Sequence, residues 1–150
     1  MTYRDKRLGF EITFPSGWRC PAFLHKLFRL PLRLMFASPA LAGGPEFYGP
    51  SGDSIKLAVG PISPVPSVSQ HQRNVQAMAV RHGHRVLKVA TIAVAGKSHA
   101  TMAVDIPSPT GSMRLKNYFL IFGRTEYVVT ASLEAGEEEY DAIVKTFRPL

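Results

Sequence analysis

Four strand-like runs decide the fold of this chain: RVLKVATIAV (residues 85–94), KSHATMAVD (97–105), MRLKNYFLIF (113–122) and EYVVTAS (126–132). Each run is rich in β-branched and aromatic residues, which are typical of strands. Short glycine-containing turns follow residues 94 and 122. Because consecutive strands joined by short turns pair antiparallel, we predict a four-strand meander here.

Two earlier stretches, residues 10–14 and 55–59, alternate apolar and polar side chains, which predicts a strand in each place. Between them, residues 37–53 contain four glycines and three prolines. We predict a long loop over this segment. Because loops of that length are often functional, it is a candidate docking element.

Three helices complete the predicted architecture. They cover residues 21–30, Ser67 or Ser69 to about His82, and residues 136–147; a strand at 32–36 is expected after the first. Each helix has one apolar stripe that must be buried. We therefore predict an α+β fold: a single antiparallel β-sheet of about six to seven strands, sandwiched by helices on both faces, in one domain over residues 1–150.

The charge of the chain is unevenly distributed. The net charge is +7, and residues 54–124 hold nine basic residues against one acid, Asp105. A basic surface attracts anionic partners. Six acidic residues lie between 126 and 141, and those in the first turn of the last helix suit the helix dipole.

Targeting and redox signals are few. Met1 to Phe10 contains no apolar signal segment, so we expect a soluble, cytoplasmic protein, with a trimmed signal as the alternative. The most apolar stretch, residues 20–42, carries charges and prolines, which argues against a transmembrane segment. The single cysteine, Cys20, excludes an intrachain disulfide and an ordinary thiolate zinc site.

The two ends of the chain carry a family resemblance. The opening GFEITFPSGW (residues 9–18) resembles the start of the PsbP/Mog1-like family, and EYDAIVKTF (139–147) resembles its final helix. The resemblance implies a central antiparallel sheet between helices and a non-enzymatic accessory or binding role. It transfers no site residue, because this family shares its fold more firmly than a site.

A histidine group is the candidate metal site. His82 and His84 stand two residues apart, and His99 lies on the neighbouring predicted strand. Imidazole suits zinc, copper or nickel. No acidic residue lies within ten residues of the pair, so a carboxylate that orients the rings would have to come from a distant element.

A basic stripe is the candidate docking site. Lys26, Arg29 and Arg33 fall at helical spacing on the first predicted helix. They predict contact with a protein partner. The alternative is a peripheral membrane-surface module using residues 21–36, because a cationic amphipathic helix can lie on an anionic surface.

Other chemistries have weaker signals. The Lys116-Asn117-Tyr118-Phe119 cluster could stack on bases, but the chain has no RNA-binding signature and no basic tail, which disfavours nucleic acid. Cys20 with His25 makes a poor nucleophile–base pair. No phosphate loop, nucleophile elbow or zinc helix is present in the sequence, and no cofactor is expected.

The sequence therefore predicts a non-catalytic accessory or protein-binding domain that docks through a basic surface or the 37–53 loop. The alternative from another class is a small metal- or ligand-binding enzyme using His82, His84 and His99.

Overall fold

The computed structural model describes residues 1–20, 41–132 and 136–150. The strands in this part of the chain are β1 (Thr2–Asp5), β2 (Phe10–Thr13), β3 (Ala42–Tyr48), β4 (Ser54–Pro61), β5 (Arg85–Val94), β6 (Lys97–Ser108), β7 (Gly111–Phe122), β8 (Thr125–Ser132) and β9 (Arg148–Pro149). The helices are α1 (Val68–Arg81) and α2 (Glu137–Lys145).

The larger sheet contains the predicted meander. Its six strands are antiparallel and follow the order β3-β4-β8-β7-β6-β5. The meander β5 to β8 is confirmed, and β6 and β7 extend further than predicted because Pro107 and Ser108 also pair across the hairpin. Among the strands of residues 1–20, 41–132 and 136–150, β3 and β5 are the two outer strands of this sheet.

A second, three-stranded sheet corrects the prediction of a single sheet. β2 pairs with β1 and with β9, and not with any strand of the larger sheet. Phe10 and Ile12 of β2 are fully buried in the core on one face of the larger sheet. The amino-terminal strand therefore packs on the meander by its side chains, whereas the predicted single sheet would place it in the same hydrogen-bonded layer.

The described helices lie against opposite faces of the larger sheet. Successive side chains of β7 enter different cores: Tyr118 packs in the core with α2, and Phe119 packs in the core with α1. This placement agrees with the predicted sandwich. The ends of α1 are as expected, because the Ser67 hydroxyl accepts a hydrogen bond from Gln70 N and Gly83 follows with a φ of +76°.

The predicted 37–53 loop is wrong over residues 42–48, and residues 37–40 lie outside the described part of the chain. Residues 42–48 form β3, which pairs with β4, and its register shifts between Gly43 and Glu46. Gly43, Gly44 and Pro45 contributed to the loop prediction, and they lie at this irregularity, where a bulge accommodates them. The predicted helix 21–30 and strand 32–36 lie outside the described residues.

Candidate functional site

A cavity of about 400 Å³ opens beside α1, on the face of the larger sheet that this helix covers. Its described lining is Leu41, Pro61, Ile62, Pro64, Pro66, Gln70, His71, Asn74, Val75, Met78, Phe119, Glu126 and Val128. Pro61 at the end of β4 and Pro64 and Pro66 after it restrict the backbone on one side, and the helix forms the other side. The cavity is therefore mostly apolar and bounded by stiff elements.

One ionisable pair lies in the cavity wall. His71 Nε2 is 2.8 Å from Glu126 Oε2, and the two side chains are only 7% and 13% exposed. His71 faces inward because it shares the buried stripe of α1 with Val75 and Ala79. Its ring also meets the Phe119 ring edge-on, with centroids 5.4 Å apart. Glu126 opens β8, so two distant parts of the chain supply this pair.

His99 lies near this pair, in the sheet itself. Backbone pairing between β6 and β7 begins at Ala100, and just before it the His99 Nδ1 accepts a hydrogen bond of 3.1 Å from Ile121 N. Burial lowers the pKa of His99. A hydrogen bond with the Val94 backbone raises the pKa, and the charges of Lys97 and His71 lower it. The neutral imidazole thus accepts the hydrogen bond from Ile121 N that a backbone carbonyl accepts in regular strand pairing.

The buried network beneath α2 is polar but structural in character. Lys116 Nζ lies 2.6 Å from Glu137 Oε1 and 2.8 Å from Asp141 Oδ1, and Tyr118 donates a 2.7 Å hydrogen bond to Asp141. Burial, followed by the Asp141 interaction, raises the pKa of Tyr118. These contacts join α2 to β7.

The structure does not bring the three predicted metal ligands together. His82 and His84 stay adjacent, with ring centroids 6.1 Å apart. His84 precedes Arg85, which pairs with Asp105, whereas His99 lies six residues earlier on β6. At the rise of a strand, this separation is roughly 20 Å.

A metal site on the His82–His84 pair alone stays a prediction. Burial lowers the pKa of His84, which favours the neutral imidazole that binds metals. Among the residues described, no group of three or more histidine, cysteine or acidic side chains is arranged to hold a metal ion.

The remaining predicted sites have different outcomes. Lys26, Arg29 and Arg33 lie outside the described residues, as does His25. Burial raises the pKa of the Cys20 thiol, which disfavours the reactive thiolate.

The aromatic–basic cluster at residues 116–119 offers no stacking surface for bases. All four side chains in it are buried, with 6% or less of each residue exposed. Tyr118 and Phe119 belong to the two cores and Lys116 to the network beneath α2, whereas Asn117 accepts a hydrogen bond from the Thr130 hydroxyl.

A basic edge formed by α1 and β5 is the second candidate surface, and we call it the β5 flank. It carries four exposed basic residues, Arg73, Arg81, Arg85 and Lys88, and residues 68–94 contain no acid. The acid opposite Arg85 in the register, Asp105, is already paired with Arg114 at 3.3 Å. The flank therefore has an excess of positive charge.

Apolar side chains are exposed within the β5 flank. Val80 is 65% exposed and Leu87 is 37% exposed. Leu87 sits where the β5 register shifts between Val86 and Lys88, so the bulge leaves it unpaired. Exposed apolar residues rimmed by polar ones can mark a protein interface, and in the sequence Val80 precedes Arg81 and Leu87 precedes Lys88.

Sequence reasoning missed His71 and Glu126 as site residues. The helical spacing of His71, Val75 and Ala79 could have shown that a histidine faces the core. No local pattern could show that Glu126 would meet it, because that contact depends on how α1 crosses the sheet.

No helix in the described part of the chain has the length and apolar character needed to cross a membrane. The predicted cytoplasmic location stays a prediction.

The architecture is that of a PsbP-like α+β protein. The solution structure of cyanobacterial PsbP (CyanoP) from Synechocystis sp. PCC 6803 is similar to this chain, with a TM-score of 0.62 over 100% of this chain and 92% of that one. The sequence identity is 12%, so the likeness establishes the fold. No protein-family model matches the chain, and no curated protein matches it. The fold implied by the family resemblance is thus confirmed.

Proposed function

We propose that this chain is a non-catalytic accessory domain that docks a protein partner with an acidic surface through the β5 flank. The observation that carries the proposal is the flank itself, which combines an edge strand, four exposed basic residues and no acid over residues 68–94. The PsbP-like fold supports an accessory role by analogy with the family.

The proposed contact combines two kinds of interaction. The basic residues would steer an acidic partner and set its orientation. Leu87 and Val80 would supply apolar contacts, because both are exposed and each is followed in the sequence by a basic residue. The outer side of β5 also offers backbone groups to an extended segment, since β5 is the last strand of its sheet in the described part of the chain.

Site-specific crosslinking tests this proposal. A photoreactive residue at position 87 should give an adduct with one protein in the native cell, and the same residue at Leu150, which is 57% exposed on the smaller sheet, should not. The double substitution Arg85→Glu and Lys88→Glu should abolish the adduct. Equal adducts from positions 87 and 150, or an adduct unaffected by charge reversal, would contradict the proposal.

A parallel arm tests the basic stripe predicted from the sequence. Charge reversal of Arg29 and Arg33 should leave the adduct at position 87 unchanged if the β5 flank is the docking surface. If this reversal abolishes the adduct and the Arg85/Lys88 reversal does not, the partner docks through residues 26–33 instead.

A further inference from the structure

The cavity beside α1 is large enough to hold an organic ligand. Small-molecule sites commonly span roughly 300–1,000 Å³, and an apolar cavity of about 150 Å³ already admits benzene. At about 400 Å³, this cavity exceeds the room needed for one aromatic ring. Ile62, Met78 and Phe119 are among the apolar side chains that would contact the body of such a ligand.

The charge of the lining selects the kind of ligand. Glu126 is the only acid among the described lining residues, and no lysine or arginine is among them. A chain with a net charge of +7 therefore places a carboxylate, and no permanent cation, in the described lining of this cavity. An anionic ligand would be repelled by that carboxylate, whereas a cation would be attracted.

Glu126 also retains capacity to accept hydrogen bonds. Its Oε2 is buried 2.8 Å from His71 Nε2, with no well-aligned donor within residues 1–20, 41–132 and 136–150, whereas 13% of the side chain stays exposed. A carboxylate has about four lone-pair positions, so His71 leaves several of them for a ligand. An ammonium group supplies charge-assisted donors, which bind carboxylates more strongly than neutral donors do.

We infer that the cavity beside α1 binds a small apolar molecule bearing one ammonium group, with its cation at Glu126 and its body against Ile62, Met78 and Phe119. His71 holds the carboxylate in place from the side. This site is independent of the β5 flank, because none of the flank's basic residues lines the cavity.

Three isosteric probes test the inference by calorimetry. They are 4-phenylbutylamine, 4-phenylbutanol and 4-phenylbutyrate, which differ chiefly in the terminal group. The amine should bind most tightly and the carboxylate least. Glu126→Gln should weaken amine binding by about tenfold or more and leave the alcohol nearly unchanged, since only the charged hydrogen bond is lost.

Nuclear magnetic resonance of the unsubstituted protein gives a second readout. The amine should shift the signals of His71, Met78 and Val128, and those of Val80 and Leu87 on the β5 flank should stay in place. This measurement remains decisive if the Glu126→Gln variant fails to fold. Absence of amine binding at millimolar concentration, tighter binding of the carboxylate, or shifts confined to other residues would overturn the inference.

Discussion

His99 shows how one residue can serve the sheet in two ways. Its Nδ1 accepts the Ile121 N–H where β6 and β7 no longer pair, and its ring packs 4.9 Å from the Phe122 ring. Accepting that hydrogen bond requires an unprotonated Nδ1. Burial lowers the pKa of His99, which favours the same unprotonated form. The fold therefore depends on a neutral imidazole at this position.

We expect a pH dependence of stability that originates at His99. The unfolded side chain takes up a proton near its ordinary pKa of 6.5, whereas the folded one resists protonation to lower pH. The contribution of His99 to stability is thus present above pH 6.5 and is lost as the pH falls below it. Urea unfolding between pH 7 and pH 5 should show a declining free energy of unfolding, and His99→Gln should reduce that slope.

The matched control for His99 is His82→Gln, which alters an exposed histidine. If the His99→Gln and His82→Gln variants keep the same slope as the unsubstituted protein, the buried imidazole is not the source of the pH dependence.

At the scale of elements, α2 is held to β7 by charges as well as by its apolar stripe. Tyr140, Ile143 and Val144 are buried in the core shared with β2 and β7. Lys116 supplies the polar link to Glu137 and Asp141, and its side chain is only 8% exposed. A buried ammonium that loses its partners costs stability. Removing a carboxylate partner and removing Lys116 itself therefore have unequal effects on stability.

We expect Asp141→Ala to destabilise the protein more than Lys116→Met. The first leaves the buried ammonium with one partner, Glu137, which is 40% exposed, at a cost of about 1–3 kcal/mol. The second removes the buried charge and leaves carboxylates that water can reach. Chemical denaturation should rank the variants in this order.

Glu138→Ala is the control for the α2 network, because Glu138 is exposed in the same turn of the helix. A larger loss of stability for Lys116→Met than for Asp141→Ala would contradict this account of the network.

For the whole molecule, the contact between the two sheets is aromatic. Phe147 is fully buried and stacks on Phe10 of the smaller sheet at 5.5 Å and on Phe122 of the larger sheet at 5.9 Å. Tyr127 reinforces the junction, since its hydroxyl donates to Leu8 O and Gly9 O at 3.1 Å. The smaller sheet is thus attached by side chains and a few polar contacts.

We expect Phe147→Ala to cost about 3–5 kcal/mol of unfolding free energy, because it removes a ring that fills space between the sheets. Urea unfolding followed by Trp18 fluorescence and by far-ultraviolet circular dichroism should show the loss. Leu150→Ala is the control, as this residue is 57% exposed. Equal midpoints for the two variants would show that Phe147 does not join the sheets.

The errors of prediction have one physical origin. Alternation over residues 10–14 predicted a strand correctly, but alternation reports which face is buried and not which strand is the neighbour. The glycines and the proline near residues 43–45 suggested a loop, yet pairing with β4 makes this segment a bulged strand. In both places, long-range contacts decided what the local signal did not: the partner strand of β2 and the strand state of residues 42–48.

The candidate sites were less predictable than the fold. The excess of basic residues over 54–124 was visible in the sequence, and the β5 flank lies within it. His71 and Glu126 carried no motif, and the sequence did not show that His99 lies near His71 and far along β6 from His84. Each of these depends on side chains from separate elements meeting in space.

The sequence by itself determined the meander, the ends of α1 and the position of α2, because strand alternation, helix caps and apolar stripes act over a few neighbouring residues. Only the tertiary structure decided that the strands divide into two sheets, that β3 and β5 form the edges, and that His71 meets Glu126 beside a cavity. These features arise from packing between distant segments, whose free energy depends on the complete core and leaves no local pattern in the chain.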